Sequence, residues 1–170
     1  MRGKITLVLG GARSGKSRFA ENLAIESGLS RLYLATAEAF DQEMERRIAQ
    51  HQEDRGSGWD TVEEPVKLQG TLEDHSAEDR VILVDCLTLW LSNLMTGDQP
   101  IEEEFKKLTA TLGTLPGPVI LVSNEVGQGI VPDNTLARAF RDHAGRLHQQ
   151  IAEIADEVYF ITAGLSQKLK

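Results

Sequence analysis

The chain has 170 residues, of which 41% are hydrophobic and 26% charged, and its formal net charge is -8. That length and balance suit one domain over residues 1–170 with a core large enough to fold alone. The acidic balance excludes an overall basic field that would draw in nucleic acid or an anionic membrane. The single cysteine, Cys86, excludes an intrachain disulfide, and its setting implies no metal site; a reduced, cytoplasmic compartment fits. The opening Met1-Arg2-Gly3-Lys4 and the apolar run after it faintly imitate a signal peptide. That run is too short, Arg13 and Lys16 follow at once, and no stretch approaches the length of a membrane span.

Residues 4–9 read as a short buried strand that passes into Gly10-Gly11-Ala12-Arg13-Ser14-Gly15-Lys16-Ser17, a full match to G-x-x-x-x-G-K-[ST]. Gly10 and Gly15 let the backbone turn sharply and approach a ligand closely. The loop amides form an anion nest, to which the following helix adds its N-terminal partial positive charge. Lys16 has the reach for the outer phosphates of a nucleotide, and the Ser17 hydroxyl suits Mg2+. A helix is expected from Lys16 to Ser27, with Gly28 as its stop.

A second strand is expected over residues 32–35, ending at Ala35-Thr36-Ala37, where polar groups would face a ligand crevice. Asp41 is placed to cap a helix over residues 42–54. On it Arg47, His51 and Arg55 recur at i, i+4 and i+8 and form one stripe. Two guanidiniums beside an imidazole attract phosphate. By spacing alone, a solvated basic face among Glu43, Glu45, Glu53 and Asp54 is the commoner outcome. After Gly56-Ser57-Gly58 come a short strand and turn over residues 59–65, in which Glu63 is a candidate for a ribose or base edge. A short helix follows over residues 67–75.

Residues 80–85 read as a central strand buried on both faces and ending in Asp85, where a Walker-B acid would hold Mg2+ directly or through water. Residues 87–95 form an apolar helix, 101–115 an amphipathic one, and 119–123 another buried strand. The loop over residues 124–132, with an Asn124-Glu125 pair and two glycines, is long for a plain connection and is a plausible substrate loop. A long helix over residues 134–155 carries Arg138, Arg141 and Arg146; His143 and His148 on it have no evident partner. A last strand over residues 157–162 and a tail complete the chain. Strand-helix alternation of this kind argues for an α/β fold of three layers around a largely parallel sheet.

The chain lacks N-K-x-D, so it does not look like a switch GTPase. It resembles the bifunctional adenosylcobinamide kinase/adenosylcobinamide-phosphate guanylyltransferase family. The residues that carry the resemblance are the 10–17 loop with Arg18, Ala35-Thr36-Ala37, and Arg47-Ile48 with His51 and Arg55. Further on come Asn124-Glu125-Val126-Gly127, Gly129-Ile130-Val131-Pro132, and Ala144-Gly145-Arg146-Leu147-His148-Gln149. The match covers essentially the whole chain in order.

The resemblance implies a P-loop NTPase of the recombinase (RecA)-like type. It implies phosphorylation of the aminopropanol hydroxyl of adenosylcobinamide, then transfer of GMP from GTP to adenosylcobinamide phosphate. It makes His51 the covalently guanylylated residue, and carries nucleotide contacts over to residues 10–17, Ala35, Thr36, Ala37, Gln52, Glu53, Asp54, Arg55, Glu63 and Asp85. Mg2+ as cofactor, GTP and ATP as substrates, and a homotrimer with sites near subunit boundaries are implied with it. Glu125 is a weaker candidate, for activating the acceptor hydroxyl or assisting Mg2+. Trp90, the 124–132 loop or a neighbouring subunit are candidates for the corrinoid surface. Two competing readings are a small-molecule P-loop kinase without nucleotidyl transfer and a nucleotide-gated interaction module.

Overall fold

The computed structural model describes residues 1–38 and 41–170. Along the chain run β1 (Ile5–Gly10), α1 (Lys16–Glu26), β2 (Ser30–Ala35), α2 (Gln42–Arg55), β3 (Trp59–Glu63), α3 (Leu68–His75) and β4 (Arg80–Asp85). They are followed by α4 (Leu87–Thr96), α5 (Ile101–Leu112), β5 (Val119–Asn124), α6 (Thr135–Ile154), β6 (Glu157–Thr162) and β7 (Leu165–Lys168). One sheet takes the order β3-β2-β4-β5-β1-β6-β7. Every pairing in it is parallel except the β6–β7 hairpin at one edge. This is the three-layer α/β arrangement around a largely parallel sheet that strand-helix alternation predicts, with β5 separating the phosphate-loop strand β1 from the Asp85 strand β4.

Strand alternation builds the layers. In β1, Ile5, Leu7 and Leu9 join one core with Leu68, Leu87, Trp90, Phe105, Leu147 and Ile151 of α3–α6. Val8 points the other way, to Ala20 and Ala24 of α1, with Tyr33, Leu83 and Val122 from neighbouring strands. α6 buries Ala144, Leu147, His148 and Ile151, a spacing of i, i+3, i+4 and i+7. Asn134 caps it by accepting from the Ala137 amide at 2.7 Å. α2 differs from these helices: Asp41 caps it as expected, through the Met44 amide at 2.8 Å, but none of its residues is buried.

Three expectations need correction. α5 stops at Leu112, with Gly113 as its C-cap, and does not continue to Leu115. The tail is not irregular: Ala163 and Gly164, at φ 51° and 76°, make a two-residue turn into β7. Trp90 is fully buried and its ring nitrogen donates to the Val66 carbonyl at 2.9 Å, so it belongs to the core and offers no surface to a corrinoid.

The turn before β7 has a further effect. The Gly164 amide donates to the Ser14 carbonyl at 2.7 Å, seating the hairpin against the phosphate loop. The base of the same strands is held by charge. Asp156 accepts from Arg2 at 2.7 and 2.9 Å and from the Ile5 amide at 2.7 Å, which holds its carboxyl down at about 2. Glu157, between Lys168 and Lys4 at 2.8 Å each, is likewise held at about 2. Both carboxyls lie below their ordinary values of 3.8 and 4.5. Their contribution is therefore present above about pH 4.5 and lost as pH falls toward about 2, with exposed Asp156 weakened by solvent screening. A melting-temperature series across that window should fall, and Glu157→Gln should flatten part of the fall. A Glu157→Gln curve parallel to wild type would count against this account.

Candidate nucleotide and catalytic site

β1 ends at Gly10 in the interior of the sheet, and the loop turns directly from it. A Cβ at Gly10 would stand 2.5 Å from the Ser14 hydroxyl and 2.9 Å from the Ile161 carbonyl, so the first glycine is required by close approach. Gly15 is left-handed at φ 94° and caps α1, whose first residue is Lys16. Lys16 folds back so that Nζ donates to the Gly11 carbonyl at 3.2 Å. Ala12 and Arg13 are exposed at the loop crest, and Ser14 is buried. Its hydroxyl has no hydrogen-bond partner among the described residues. A valine at Gly10 should push the loop out of shape, costing about 1–3 kcal/mol of stability and raising the nucleotide KM more than about tenfold. An unchanged KM would show that the loop tolerates the displacement.

Asp85 ends β4. Its carboxylate accepts from the Ser17 hydroxyl at 3.3 Å and from the Tyr33 hydroxyl at 2.8 Å. The two expected metal donors, Ser17 and Asp85, thus converge. No larger cluster of acids, histidines or cysteines that could cage an ion occurs among the described residues. One hydroxyl and one carboxylate fit Mg2+, which keeps several waters and completes its shell with substrate phosphates. Burial, and then the neighbouring Asp85, push the Tyr33 hydroxyl far above its ordinary range, so it remains a donor. Arg55 lies 3.4 Å over the Tyr33 ring. Glu21 is half-buried nearby, its carboxyl raised chiefly by desolvation, with Arg55 opposing.

Ala35 lies between Glu63 and Asp85 in the sheet register, which brings the second, third and fourth strand ends to one edge. Ala37, Gln52, Glu63 and Pro65 line a cleft of about 620 Å³ between that edge and α2. A second cleft of about 510 Å³, with Gln52, Arg55 and Trp59, lies at the C-terminal end of α2. Thr36 departs from expectation. It is fully buried, and its hydroxyl donates to the Cys86 carbonyl at 2.7 Å and accepts from the Cys86 amide at 2.9 Å. Its side chain joins β2 to β4 and does not face the crevice. Glu53 and Asp54 point to solvent, Asp54 accepting from Gln50 at 2.9 Å. His51 and Arg47 are exposed on α2. Arg55 alone of the stripe reaches the Asp85 cluster, through Tyr33.

One cluster was not legible in the sequence. The Glu125 amide donates to the Gly10 carbonyl at 2.9 Å, so the start of the 124–132 loop lies against the phosphate loop. Asn124 donates to the Thr88 hydroxyl at 2.9 Å. Fully buried Ser123 pairs with Nε2 of His148 at 2.7 Å, and Nδ1 of His148 stands 3.9 Å from the Glu125 carboxylate. Burial lowers the His148 pKa, against the pull of Glu125, so the ring is held neutral. Ser123 and His148 lie 25 residues apart, and no local pattern announces their pairing.

Comparison with known proteins agrees with this geometry. The profile of the family described as cobinamide kinase / cobinamide phosphate guanyltransferase matches residues 6–169. The bifunctional adenosylcobalamin biosynthesis protein CobP of Pseudomonas aeruginosa is 54% identical over 166 residues, covering 96% of both chains. The corresponding CobU proteins of Salmonella typhimurium and Escherichia coli are each 41% identical, over 96% of this chain and 98% of theirs. In fold, the chain is similar to the flagellar accessory protein FlaH of Methanocaldococcus jannaschii. The TM-score is 0.55 at 13% identity, covering 99% of this chain and 79% of that one. With a phosphate loop, an acid ending the strand beyond the intervening β5, and relatives matched along 96% of the chain, the chain belongs to the bifunctional cobinamide kinase/cobinamide phosphate guanylyltransferase family of adenosylcobalamin biosynthesis.

Proposed function

We propose that both activities in the family's name run at this one phosphate loop, and that guanylyl transfer passes through a covalent GMP adduct on His51. In the first reaction the aminopropanol hydroxyl of adenosylcobinamide attacks the terminal phosphorus of ATP or GTP. The new O–P bond forms as the bridging P–O bond breaks. The 10–17 loop amides and Lys16 hold the phosphates in line, and Arg13 at the crest adds local positive charge. Mg2+, held through Ser17 and Asp85, would neutralise charge developing on the phosphate oxygens.

In the second reaction an imidazole nitrogen of His51 attacks the α-phosphorus of GTP, and pyrophosphate leaves. The phosphate of adenosylcobinamide phosphate then displaces His51, giving adenosylcobinamide-GDP. Arg47 and Arg55, one helical turn to either side of His51, would stabilise the phosphate oxygens in both displacements. Ala35, Ala37, Gln52 and Glu63 suit the nucleoside end. A carboxylate such as Glu63 complements the two N–H donors on the guanine edge, and Thr36 fixes the strand end behind them. Glu53 and Asp54 contribute through backbone alone.

The observation that carries this reading is the Arg55 contact on Tyr33, whose hydroxyl is bonded to Asp85. It ties the C-terminal end of α2 to the metal acid, with His51 about 6 Å further along the helix axis. The other helices bury an apolar face, whereas α2 buries none, so its placement can adjust to a nucleotide. Exposed Ile130, Val131 and Leu136 favour assembly as the implied homotrimer, and light scattering that returned only monomer would remove that part. Among the described residues no helix is long and apolar enough to cross a membrane. A cytoplasmic setting suits buried Cys86 and the supply of both nucleotides.

The test is an intact mass of the protein after incubation with GTP and Mg2+ at neutral pH, since phosphoramidates are acid-labile. One added GMP per chain is expected. No adduct, with adenosylcobinamide still phosphorylated, would reduce the activity at this loop to that of a kinase.

A further inference from the structure

We propose that Glu125 is the general base of the phosphoryl-transfer step, and that His148 and Ser123 are positioning residues that hold its carboxylate at the mouth of the phosphate loop. The proposal rests on the reading that this site phosphorylates an alcohol, and it assigns the group that takes the alcohol's proton.

Placement comes first. β5 lies between the phosphate-loop strand and the Asp85 strand, so a residue leaving its C-terminal end emerges between loop and metal acid. Glu125 is that residue, fixed there by its amide on Gly10. Its side chain is 20% exposed, enough to meet a substrate and to return a proton to water. Among the described residues no lysine or arginine forms an ion pair with it; the titratable side chain that faces it is the neutral ring of His148. One carboxylate oxygen accepts from the Gly127 amide, and the other faces His148.

The orientation of His148 follows from its own partners. With Ser123 donating its hydroxyl proton to Nε2, the neutral ring carries its hydrogen on Nδ1, toward Glu125. The 3.9 Å separation is longer than a hydrogen bond, and such contacts commonly shorten when substrate binds. A buried serine and a buried histidine placed behind a carboxylate with no lysine or arginine partner form a support of the kind that fixes a base. Packing alone would be met by apolar residues at both positions. In the step itself, the hydroxyl proton passes to Glu125 as the alcohol oxygen bonds to the terminal phosphorus. The electron pair of the breaking P–O bond leaves on the nucleoside diphosphate.

The test measures phosphorylation of adenosylcobinamide by steady-state kinetics, and GMP adduct formation by intact mass, in the full-length protein. Glu125→Gln should lower the phosphorylation kcat about 100-fold relative to adduct formation, with the nucleotide KM within about threefold. Glu125→Asp should recover most of that loss. His148→Phe, which keeps the ring's bulk and removes its N–H, should lower kcat about tenfold. His148→Asn, which restores an N–H near the Nδ1 position, should recover part of it. Wild-type kcat in Glu125→Gln overturns the proposal. So does rescue of Glu125→Gln by raised Mg2+, which would make Glu125 a metal-assisting group. An equal fall of both reactions in all four variants also overturns it, by making the cluster a structural brace. Wild-type protein that forms no adenosylcobinamide phosphate would overturn the functional reading itself, and this proposal with it.

Discussion

Replacing His51 with alanine is expected to abolish the GMP adduct and to lower guanylyl transfer by about 10³-fold or more. Adenosylcobinamide phosphorylation should stay within about threefold of wild type. The expectation is sharp because His51 has little structural work to lose. It lies exposed on α2, a helix with no buried residues and capped independently at Asp41. An alanine there is a good helix former and should change stability by no more than about 0.5 kcal/mol. Loss of transfer would therefore report on chemistry. An adduct that persists on the alanine variant would move the nucleophile elsewhere and return the Arg47–His51–Arg55 stripe to a solvated face.

Lys16→Ala should do the opposite and remove both reactions together, each by about 10³-fold. Among the described residues the side chain makes one hydrogen bond, to Gly11 in its own loop, so the fold should survive. What is lost is the positive charge proposed to meet the outer phosphates. The terminal one is transferred in the first reaction, and the outer two depart together as pyrophosphate in the second. Parallel rate measurements on the two reactions decide the point. If phosphorylation collapsed while adduct formation continued at the wild-type rate, the two chemistries would require separate phosphate sites.

The phosphate loop and the Asp85 strand were readable because their chemistry is local. A glycine at each tight position, a lysine and serine at the helix start, and an acid after four apolar residues each follow from short-range requirements. The α2 stripe was readable as spacing but not as function, since arginines in solvent look the same as arginines on phosphate. Family resemblance, not periodicity, singled out His51. Thr36 was misplaced because a threonine at a strand end serves a crevice or a neighbouring strand equally well from local pattern. Only the position of Cys86, 50 residues away, decides between them. β7 was missed because its four residues are all exposed and show no buried alternation. Its turn carries Ala-Gly, a weaker signal than Asn-Gly. Ser123, His148 and Glu125 meet through packing of α6 on the sheet, which no single stretch of sequence announces.

The seating of Gly164 on Ser14 has a consequence for the order in which the protein is made. The phosphate loop is synthesised well before its partners, since β1 pairs with residues 119–124 and 157–162, and the loop's brace comes from the turn before β7. A nascent chain therefore carries the phosphate-binding motif long before it has the site. Pairings so distant in sequence form slowly, and nucleotide stabilises only chains that have completed them. Nucleotide binding thus doubles as a selection for molecules that have closed the sheet, and chains cut before Gly164 should be the ones it fails to protect from proteolysis.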